Sequence, residues 1–462
     1  MIAGAWRVGM RRWRAWQQQS IARRIFGVTV TVGVLTATVK LIAFAKEAIV
    51  ALRFGTGDVL EVFIIAMVLP QFAINLVGGS LNAALIPTYI HVRDLSGAGA
   101  AHRLLASVTA ASLTILVLLS IVVGFAAPAI VPLMASGFPE AKREMTITAL
   151  RWLLPTIVLS GLTTTWGAVL NAGNRFTLTS AAPAATSLLT LTFVGFRGVE
   201  WGSGALVAGA LGGAALEAAL LGWGLTQRGV PLTPRWYGPS REVREVLGQY
   251  GPMLTGAFLM GGTSVVSQSM AAMLDPGSVS ALSYGSKLTT LLLSVGAAAV
   301  STAVLPPFSE RAAAGDWAAL RHALRRSTQW LLALVVPGTA LLIAFSRPIV
   351  ALAFERGSFT AVDTQVVAAT QAMFLLQVPV FVVSMVLVRL VSALRANRIL
   401  MWGSALNLVV NIALTYVLMR LLGVVGIALA TSLMYAVSLA YLWFSADRLL
   451  RVRERESRDT TR

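Results

Sequence analysis

The chain has 462 residues, of which 56% are apolar and only 12% charged, and its mean hydropathy is +0.76. Soluble domains usually carry about 25% charged residues, so this composition excludes a water-soluble globular protein. Apolar stretches of about 18 residues or more recur along the chain, as is typical of a protein that crosses a membrane many times. The net charge of +18 therefore indicates basic loops and contact with anionic membrane lipids rather than with nucleic acid.

The residue types needed for several kinds of active site are missing or scattered. There is no cysteine, which excludes disulfides, thiolate metal sites and cysteine nucleophiles. The three histidines (His91, His102 and His322) are far apart and form no metal-binding motif. No phosphate-binding loop or hydrolase motif is present either. The sequence thus predicts no catalytic, metal or cofactor site, and it favours a transporter over an enzyme.

The predicted elements are helices throughout, because spans of this length and continuity differ from the alternating strands of a membrane barrel. Twelve spans are predicted, at residues 25–46, 59–88, 104–132, 146–171, 176–196, 203–226, 246–274, 279–305, 327–352, 364–394, 400–419 and 423–446. The predicted fold class is therefore all-α, with about twelve transmembrane helices.

The spans group into two halves with charged segments around them. The predicted divisions are a basic N-terminal tail (1–24), an N-terminal six-helix lobe (25–226), a basic linker (227–245), a C-terminal six-helix lobe (246–446) and a charged C-terminal tail (447–462). Lysine and arginine concentrate in the tails and in the loops on their side of the membrane. This asymmetry predicts that both termini are cytoplasmic.

An internal repeat supports the two lobes. The segment Ala84-Leu-Ile-Pro87-Thr-Tyr89 returns as Ala303-Val-Leu-Pro306-Pro-Phe308, and Pro155 is echoed by Pro379. Since each half has an even number of spans, both halves enter the membrane in the same orientation. The repeat predicts two lobes that meet around a central cavity, an arrangement typical of alternating-access transporters.

Charged side chains inside spans usually face a cavity or a partner, because they are costly in lipid. Only four of the 37 basic residues are lysines, and three of these lie in predicted spans, at Lys40, Lys46 and Lys287. Together they predict a basic cavity that would attract an anionic substrate, of which a diphosphate is the natural candidate. Glu47 and Glu61 are predicted to pair with these lysines or to act in gating. The alternative is that the lysines reach the membrane surface.

Two weaker patterns concern helix packing. Asn407 and Asn411 are four residues apart in the eleventh span, which places both amides on one helix face. Hydrogen bonding between helices is the favoured interpretation, and cation ligation is the alternative. Gly209 and Gly213 form a GxxxG motif, which predicts close helix packing in the sixth span.

Several segments resemble the MurJ/MviN lipid II flippases. The run Lys40-x5-Lys46-Glu47, with Phe54-Gly55 and Glu61 after it, is similar to the family's first-helix signature, where arginine and aspartate are usual. Tyr284-x2-Lys287 resembles the eighth helix of the family, where an arginine is usual. Two further segments match family motifs, namely Arg347-Pro-Ile-Val-Ala-Leu-Ala-Phe-Glu-Arg-Gly-Ser-Phe-Thr-Ala-Val-Asp363 and Gly423-Val-Val-Gly-Ile-Ala-Leu-Ala-Thr-Ser432.

The resemblance implies the multidrug/oligosaccharidyl-lipid/polysaccharide exporter fold in the bacterial cytoplasmic membrane. It also implies that the substrate is an undecaprenyl-diphosphate-linked glycan, by default lipid II, with Lys40, Lys46 and Lys287 holding the diphosphate. Coupling to membrane potential, Na⁺ or H⁺ is left open. The chain departs from the family at Ile74-Asn75, where a basic pair is usual, at Gly78-Gly79, where an acidic-Gly step is usual, and in having twelve predicted spans instead of fourteen.

Three alternatives remain at this point. The cargo of the flippase could be an exopolysaccharide, capsule or O-antigen unit in place of lipid II. A cation-coupled multidrug exporter would share the fold but would be expected to have an acidic cavity. A membrane glycosyltransferase would need a sizeable extramembrane loop with paired carboxylates, whereas the longest predicted loop is short and basic.

Overall fold

The computed structural model describes residues 21–173, 175–238, 240, 243–244, 258–259, 261–394 and 396–460, and these contain helices and no strand. The helices of the N-terminal half are α1 (Ile21–Phe54), α2 (Asp58–Met134), α3 (Glu140–Leu153), α4 (Pro155–Ala172), α5 (Phe176–Ala181), α6 (Ala184–Trp201) and α7 (Ser203–Thr226). In the C-terminal half a helical segment at residues 261–271 is followed by α8 (Ser278–Ala313), α9 (Trp317–Ala344), α10 (Ser346–Phe354), α11 (Ala361–Leu375), α12 (Gln377–Ala393), α13 (Asn397–Leu422) and α14 (Val424–Thr460). The all-α prediction is confirmed.

Ten helical stretches of the described residues are long and apolar enough to cross a membrane. They coincide with ten of the twelve predicted spans. Of the other two, the predicted span 25–46 lies within α1, and the predicted span 246–274 lies partly outside the described residues. The chain is thus a multi-pass helical membrane protein. The exact count of twelve, the two-lobe arrangement and the domain boundaries stay predictions.

Contacts between helices divide the chain into two compact units. The first comprises Met1–Val50, Val77–Val122 and Trp152–Tyr250, and the second comprises Ala51–Leu76, Val123–Arg151 and Gly251–Arg462. The core of the first unit is formed by α2, α4 and α7, with Val108, Leu170 and Leu225 buried together. The core of the second is formed by α8, α9, α12 and α14, with Phe308, Leu320, Leu390 and Leu450 buried together.

Glycine and proline determine where the long helices are interrupted. The second and third predicted spans are joined within α2, which is broken only where Gly97 takes φ 82° and ψ 170°. Pro155 begins α4 directly after α3, and Pro379 lies in the first turn of α12 directly after α11. A proline cannot donate the backbone hydrogen bond that would continue the preceding helix. The two prolines of the sequence repeat therefore mark equivalent helix breaks in the two halves.

The GxxxG motif allows α7 to lie directly on α6. A Cβ atom at Gly209 would be 2.4 Å from Thr190 Cα, and one at Gly213 would be 2.3 Å from Thr186 Cα. Only hydrogen fits at these two positions, so the prediction of close packing is confirmed. The two helices form a tight antiparallel pair within the first unit.

Candidate functional site

The predicted site residues of α1 lie in the first unit. The Lys40 side chain is exposed, whereas the side chains of Lys46 and Glu47 are partly buried. The Lys46 ammonium is 2.8 Å from the Glu47 carboxylate, so these neighbours form an ion pair. The predicted residues Glu61 and Lys287 belong to the second unit. Convergence of the three lysines on one cavity stays a prediction.

Glu61 is the most deeply buried of the predicted residues. Its side chain is 1% exposed and lies 2.5 Å from the ammonium of Lys142, whose own side chain is 8% exposed. The other Glu61 oxygen accepts a hydrogen bond of 2.9 Å from the backbone N–H of Val279. Asp58, which is 68% exposed, lies 2.6 Å from the same ammonium. We call this group, formed by Asp58, Glu61, Lys142 and the Val279 N–H, the clasp.

Local sequence explains why the clasp forms where it does. Gly277 takes φ +94° immediately before α8, so the helix starts abruptly at Ser278 and its first backbone N–H groups lack partners within the helix. A carboxylate is favoured at such a position because it accepts these hydrogen bonds and interacts with the helix dipole. Lys142 lies near the start of α3, with its ammonium 4.0 Å from the centre of the Phe138 ring. The clasp therefore joins the start of α2, α3 and the start of α8.

Removing only one partner of the buried ion pair in the clasp is costly. Removal of one partner from a buried ion pair leaves an uncompensated charge, which typically costs about 3–5 kcal/mol. The exposed Asp58 lets the second carboxylate interact with water, so the buried part consists of one acid and one base. The pair thus favours the closed arrangement of these three helix ends as long as both partners are present.

A second connection lies within the same unit, at residues 355–360 between α10 and α11, which we call the strap. The backbone N–H of Ser358 donates a 2.9 Å hydrogen bond to the carbonyl of Leu52, and its hydroxyl donates to the carbonyl of Arg53 at 3.1 Å. The Thr56 hydroxyl donates to the carboxylate of Asp363, which also completes the capping box of α11 with Thr360. The strap therefore fastens the end of α1 to the start of α11.

Two glycines make the strap possible. Gly55 takes φ +55° and Gly357 takes φ +61°, both in the left-handed region. A Cβ atom at Gly55 would be 2.3 Å from the Ser358 carbonyl oxygen, and one at Gly357 would be 2.4 Å from the Leu52 carbonyl oxygen. The two backbones can approach this closely only because neither glycine has a side chain.

Gly55→Ala is expected to lower the thermal midpoint of the protein in detergent more than Gly315→Ala does. Gly315 has a similar φ of +68° but no atom near its Cβ position, so its substitution costs only the left-handed backbone, about 1–2 kcal/mol. At Gly55 the clash with the strap adds about 1–3 kcal/mol. Equal midpoints for the two variants would show that the strap contributes nothing to stability.

Lys287 lies on α8 with an exposed side chain. It is eight residues beyond Val279, which places it about 12 Å further along the helix axis than the clasp. The clasp thus contacts the first turn of α8, and Lys287 lies about two turns further along the same helix.

Sequence reasoning missed Lys142, which lies between the predicted spans 104–132 and 146–171. A signal was available, because Lys142 is the one remaining lysine of only four in a chain that is otherwise rich in arginine. All four lysines lie in or beside the predicted spans. In the part of the chain that the structure describes, no group of three or more acidic or histidine side chains could hold a metal ion.

The model of one protein family, described as "Lipid II flippase MurJ", matches residues 50–459 of the chain. The chain belongs to this family. Among relatives, a probable lipid II flippase MurJ of Rhizobium meliloti (strain 1021) is 28% identical over 415 residues, which are 87% of this chain and 76% of the relative. A probable lipid II flippase MurJ of Synechocystis sp. is 26% identical and covers 93% of this chain and 83% of the relative. The MurJ family consists of membrane transporters, not enzymes.

Solved structures agree with this family membership at the level of the fold. A structure titled "Lipid II flippase MurJ, inward closed conformation" has a TM-score of 0.78 and 21% identity, and the match covers 90% of this chain and 87% of the other. An inward-facing multidrug resistance MATE family transporter of the MOP superfamily has a TM-score of 0.72 and 14% identity, covering 91% of this chain and 99% of the other. The fold is therefore the one shared by MurJ and MATE transporters.

Proposed function

We propose that the protein is a flippase that moves lipid II, or a closely related undecaprenyl-diphosphate-linked glycan, from the inner to the outer leaflet of the bacterial cytoplasmic membrane. Membership of the MurJ family supports the substrate class. The observation that carries the mechanism is the clasp, because its buried carboxylate, Glu61, pairs with Lys142 and also accepts a hydrogen bond from Val279 in the C-terminal half, and such a link between helix ends has the properties of a gate. Its opening and closing would alternate the access of the substrate cavity.

The orientation follows from the loop charges. With both termini in the cytoplasm, the clasp and the strap would lie on the extracytoplasmic side, and an intact clasp would hold that side closed. Loading from the cytoplasm requires this closure, since an open outer gate would release the head group before transport. The gate would open when binding of the negatively charged substrate has changed the free-energy difference between the closed and open arrangements of the helices.

The diphosphate is proposed to bind Lys40, Lys46 and Lys287. Lys46 lies eight residues before the end of α1, and Lys287 lies nine residues after the start of α8. At 1.5 Å per residue, both are about 12–14 Å from the ends that the strap and the clasp fasten. Lys46, which is paired with the Glu47 carboxylate, would exchange that carboxylate for the diphosphate.

The family's usual basic pair on the second helix has a neutral replacement in this chain. At Ile74-Asn75 the Asn75 amide oxygen accepts a 3.1 Å hydrogen bond from the Gln71 amide. The proposed site therefore has three lysines and no basic pair at positions 74–75 of α2. A negative-inside potential would draw the unloaded cationic cavity toward the cytoplasm, at about 2.3 kcal/mol per charge per 100 mV for full transit. Coupling to Na⁺ or H⁺ remains an alternative source of energy.

Anionic phospholipids are proposed to contact α9 on the cytoplasmic side. Arg325 and Arg326 are exposed beside His322, and they line a surface groove of about 610 Å³ with Gln329 and Trp330. Arginine followed by tryptophan on one helix face is typical of the membrane interface, where the guanidinium groups meet lipid phosphates.

The proposed function is tested by expressing the chain in a bacterium depleted of its own lipid II flippase. We expect the wild-type chain to restore growth, because it provides the missing transport. The same chain with Lys46→Ala is expected to fail, while Arg420→Ala, in the last turn of α13, is expected to succeed at equal membrane expression. If the wild-type chain does not restore growth although it is present in the membrane, lipid II is not its cargo. Rescue of a strain that lacks an O-antigen or capsule flippase would then identify the alternative glycan.

A further inference from the structure

The second unit contains a polar cavity that the proposed transport of a diphosphate does not use. It has a volume of about 270 Å³ and lies among the helical segment 261–271, α8, α13 and α14, with Phe374 and Gln377 from the junction of α11 and α12 completing its wall. This is far more than the roughly 30 Å³ that one water molecule occupies in the liquid. The cavity can therefore hold a group of several non-hydrogen atoms.

The lining of the cavity is polar but uncharged. Of the described residues that line it, none is acidic or basic, and most carry a hydroxyl or an amide group. Asn411 is 0% exposed and Thr289 is almost as deeply buried. Both amide atoms of Asn411, the Thr289 hydroxyl and the amide oxygen of Gln268 have no hydrogen-bond partner among the described residues. The predicted hydrogen bond from Asn411 to a neighbouring helix is thus absent from that part of the chain.

Buried polar atoms without partners are costly, so the cavity favours an occupant that both donates and accepts hydrogen bonds. A cation is a poor match, because none of the lining residues that the structure describes has a carboxylate to balance its charge within the bundle. A sugar ring fits better. Its hydroxyls can pair with the amides and hydroxyls of the wall, and its apolar face can lie against Phe374 or Tyr435.

The cavity lies next to the residue proposed to bind the diphosphate. Ser286 and Thr290 both line it, and Lys287 lies between them in sequence on α8, rotated about 60–100° around the helix axis from each. In a lipid-linked glycan the first sugar is attached directly to the diphosphate. A diphosphate held by Lys287 would therefore place that sugar at the mouth of the cavity.

We propose that this cavity is the subsite that binds a sugar of the lipid-linked substrate, with Asn411 and Thr289 as its hydrogen-bonding residues. The inference rests on the proposed function and extends it, since it assigns recognition of the glycan to the C-terminal half. Affinity for the substrate then has two parts, one from the lysines and the diphosphate and one from this cavity and the sugar.

The test compares two ligands on the full-length protein in nanodiscs. One is undecaprenyl diphosphate, and the other is the same lipid carrying the peptide-free disaccharide MurNAc-GlcNAc. We expect the wild type to bind the glycosylated lipid at least tenfold more tightly. Asn411→Leu and Thr289→Val are expected to bring that ratio close to one and to leave the affinity for undecaprenyl diphosphate unchanged. Both variants remove unpartnered polar atoms, so they are expected to fold at least as well as the wild type.

The control is Thr328→Val, which also removes a buried hydroxyl without a partner, but on α9 and outside the cavity. It is expected to keep the wild-type ratio. The inference is overturned if the cavity variants keep that ratio, or if the wild type shows none. It is equally overturned if Na⁺ in place of choline raises the thermal midpoint of the wild type but not of Asn411→Leu, because the cavity would then hold a cation. If neither lipid binds, the proposed function fails and the inference fails with it.

Discussion

Glu61→Ala is expected to open, in most molecules, the side that the clasp holds closed, which we propose to be the extracytoplasmic side. The substitution removes the acceptor of both the Lys142 ammonium and the Val279 N–H, and it leaves Lys142 buried without its closest partner. Loss of about 3–5 kcal/mol from the closed state shifts the equilibrium between closed and open states at least about a hundredfold. The variant should still fold, because the buried cores of both units lie elsewhere.

The absence of native cysteine makes the opening directly measurable, since a single introduced cysteine is the only thiol. Ser280 is fully buried at the start of α8, and its hydroxyl has no partner among the described residues, so Ser280→Cys should be structurally neutral. We expect this cysteine to be protected from a membrane-impermeant maleimide in the otherwise wild-type chain and to be labelled in Glu61→Ala. A cysteine at the exposed Ala361 is the positive control for labelling.

Two further variants separate the ion pair from general damage. Glu140→Ala removes an exposed acid from the first residue of α3 and should leave Ser280→Cys protected. Lys142→Met added to Glu61→Ala should restore part of the protection, because an apolar pair replaces the unbalanced buried charge. Persistent protection in Glu61→Ala alone would contradict the role of the clasp as a gate.

Lys287→Ala is expected to abolish growth rescue in the flippase-depleted strain without loss of the protein from the membrane. The side chain is exposed on α8, so its removal creates no cavity in the buried core. Each charge-assisted hydrogen bond to a diphosphate oxygen contributes about 1.5–3 kcal/mol, and loss of one or two such bonds lowers affinity by roughly tenfold to about 20,000-fold. The measurement is growth at matched membrane levels of the two proteins.

Ser294→Ala is the matched control on the same helix. Ser294 is exposed two turns further along α8, and its hydroxyl donates only to the Leu291 carbonyl of its own helix at 2.7 Å. This variant should rescue growth as the wild type does, and Lys287→Arg should retain partial function because it preserves the charge but changes its geometry. Normal rescue by Lys287→Ala would remove Lys287 from the proposed binding site.

The helices could be predicted from the sequence because the bilayer imposes their length and apolar character. Ten predicted spans coincide with apolar helices of the structure, and the repeated prolines Pro155 and Pro379 follow equivalent breaks. The junction between the second and third spans was harder. It was expected to be a loop, but its residues continue the helix on both sides of Gly97.

The functional residues were only partly accessible to sequence reasoning. Glu61 was recognised because it is a charged residue inside a predicted span. Its partner Lys142 was not recognised, since the two residues are 81 positions apart and Lys142 lies beside a span. Neither the strap nor the sugar cavity could be predicted from the sequence, and the reasons differ. The strap uses backbone carbonyls, which have no sequence signal, and the cavity uses serine, threonine and amide residues that are ordinary in membrane helices.

The strap has a consequence for how such proteins can diverge. Because Ser358 binds the main-chain carbonyls of Leu52 and Arg53, the identities of those two side chains are irrelevant to the contact. Positions 52 and 358 should therefore vary independently among relatives, and methods that infer proximity from correlated substitutions should overlook them. Gly55 and Gly357 are instead the positions at which evolutionary drift is restricted, so a relative with a side chain at both must close its outer face by another route.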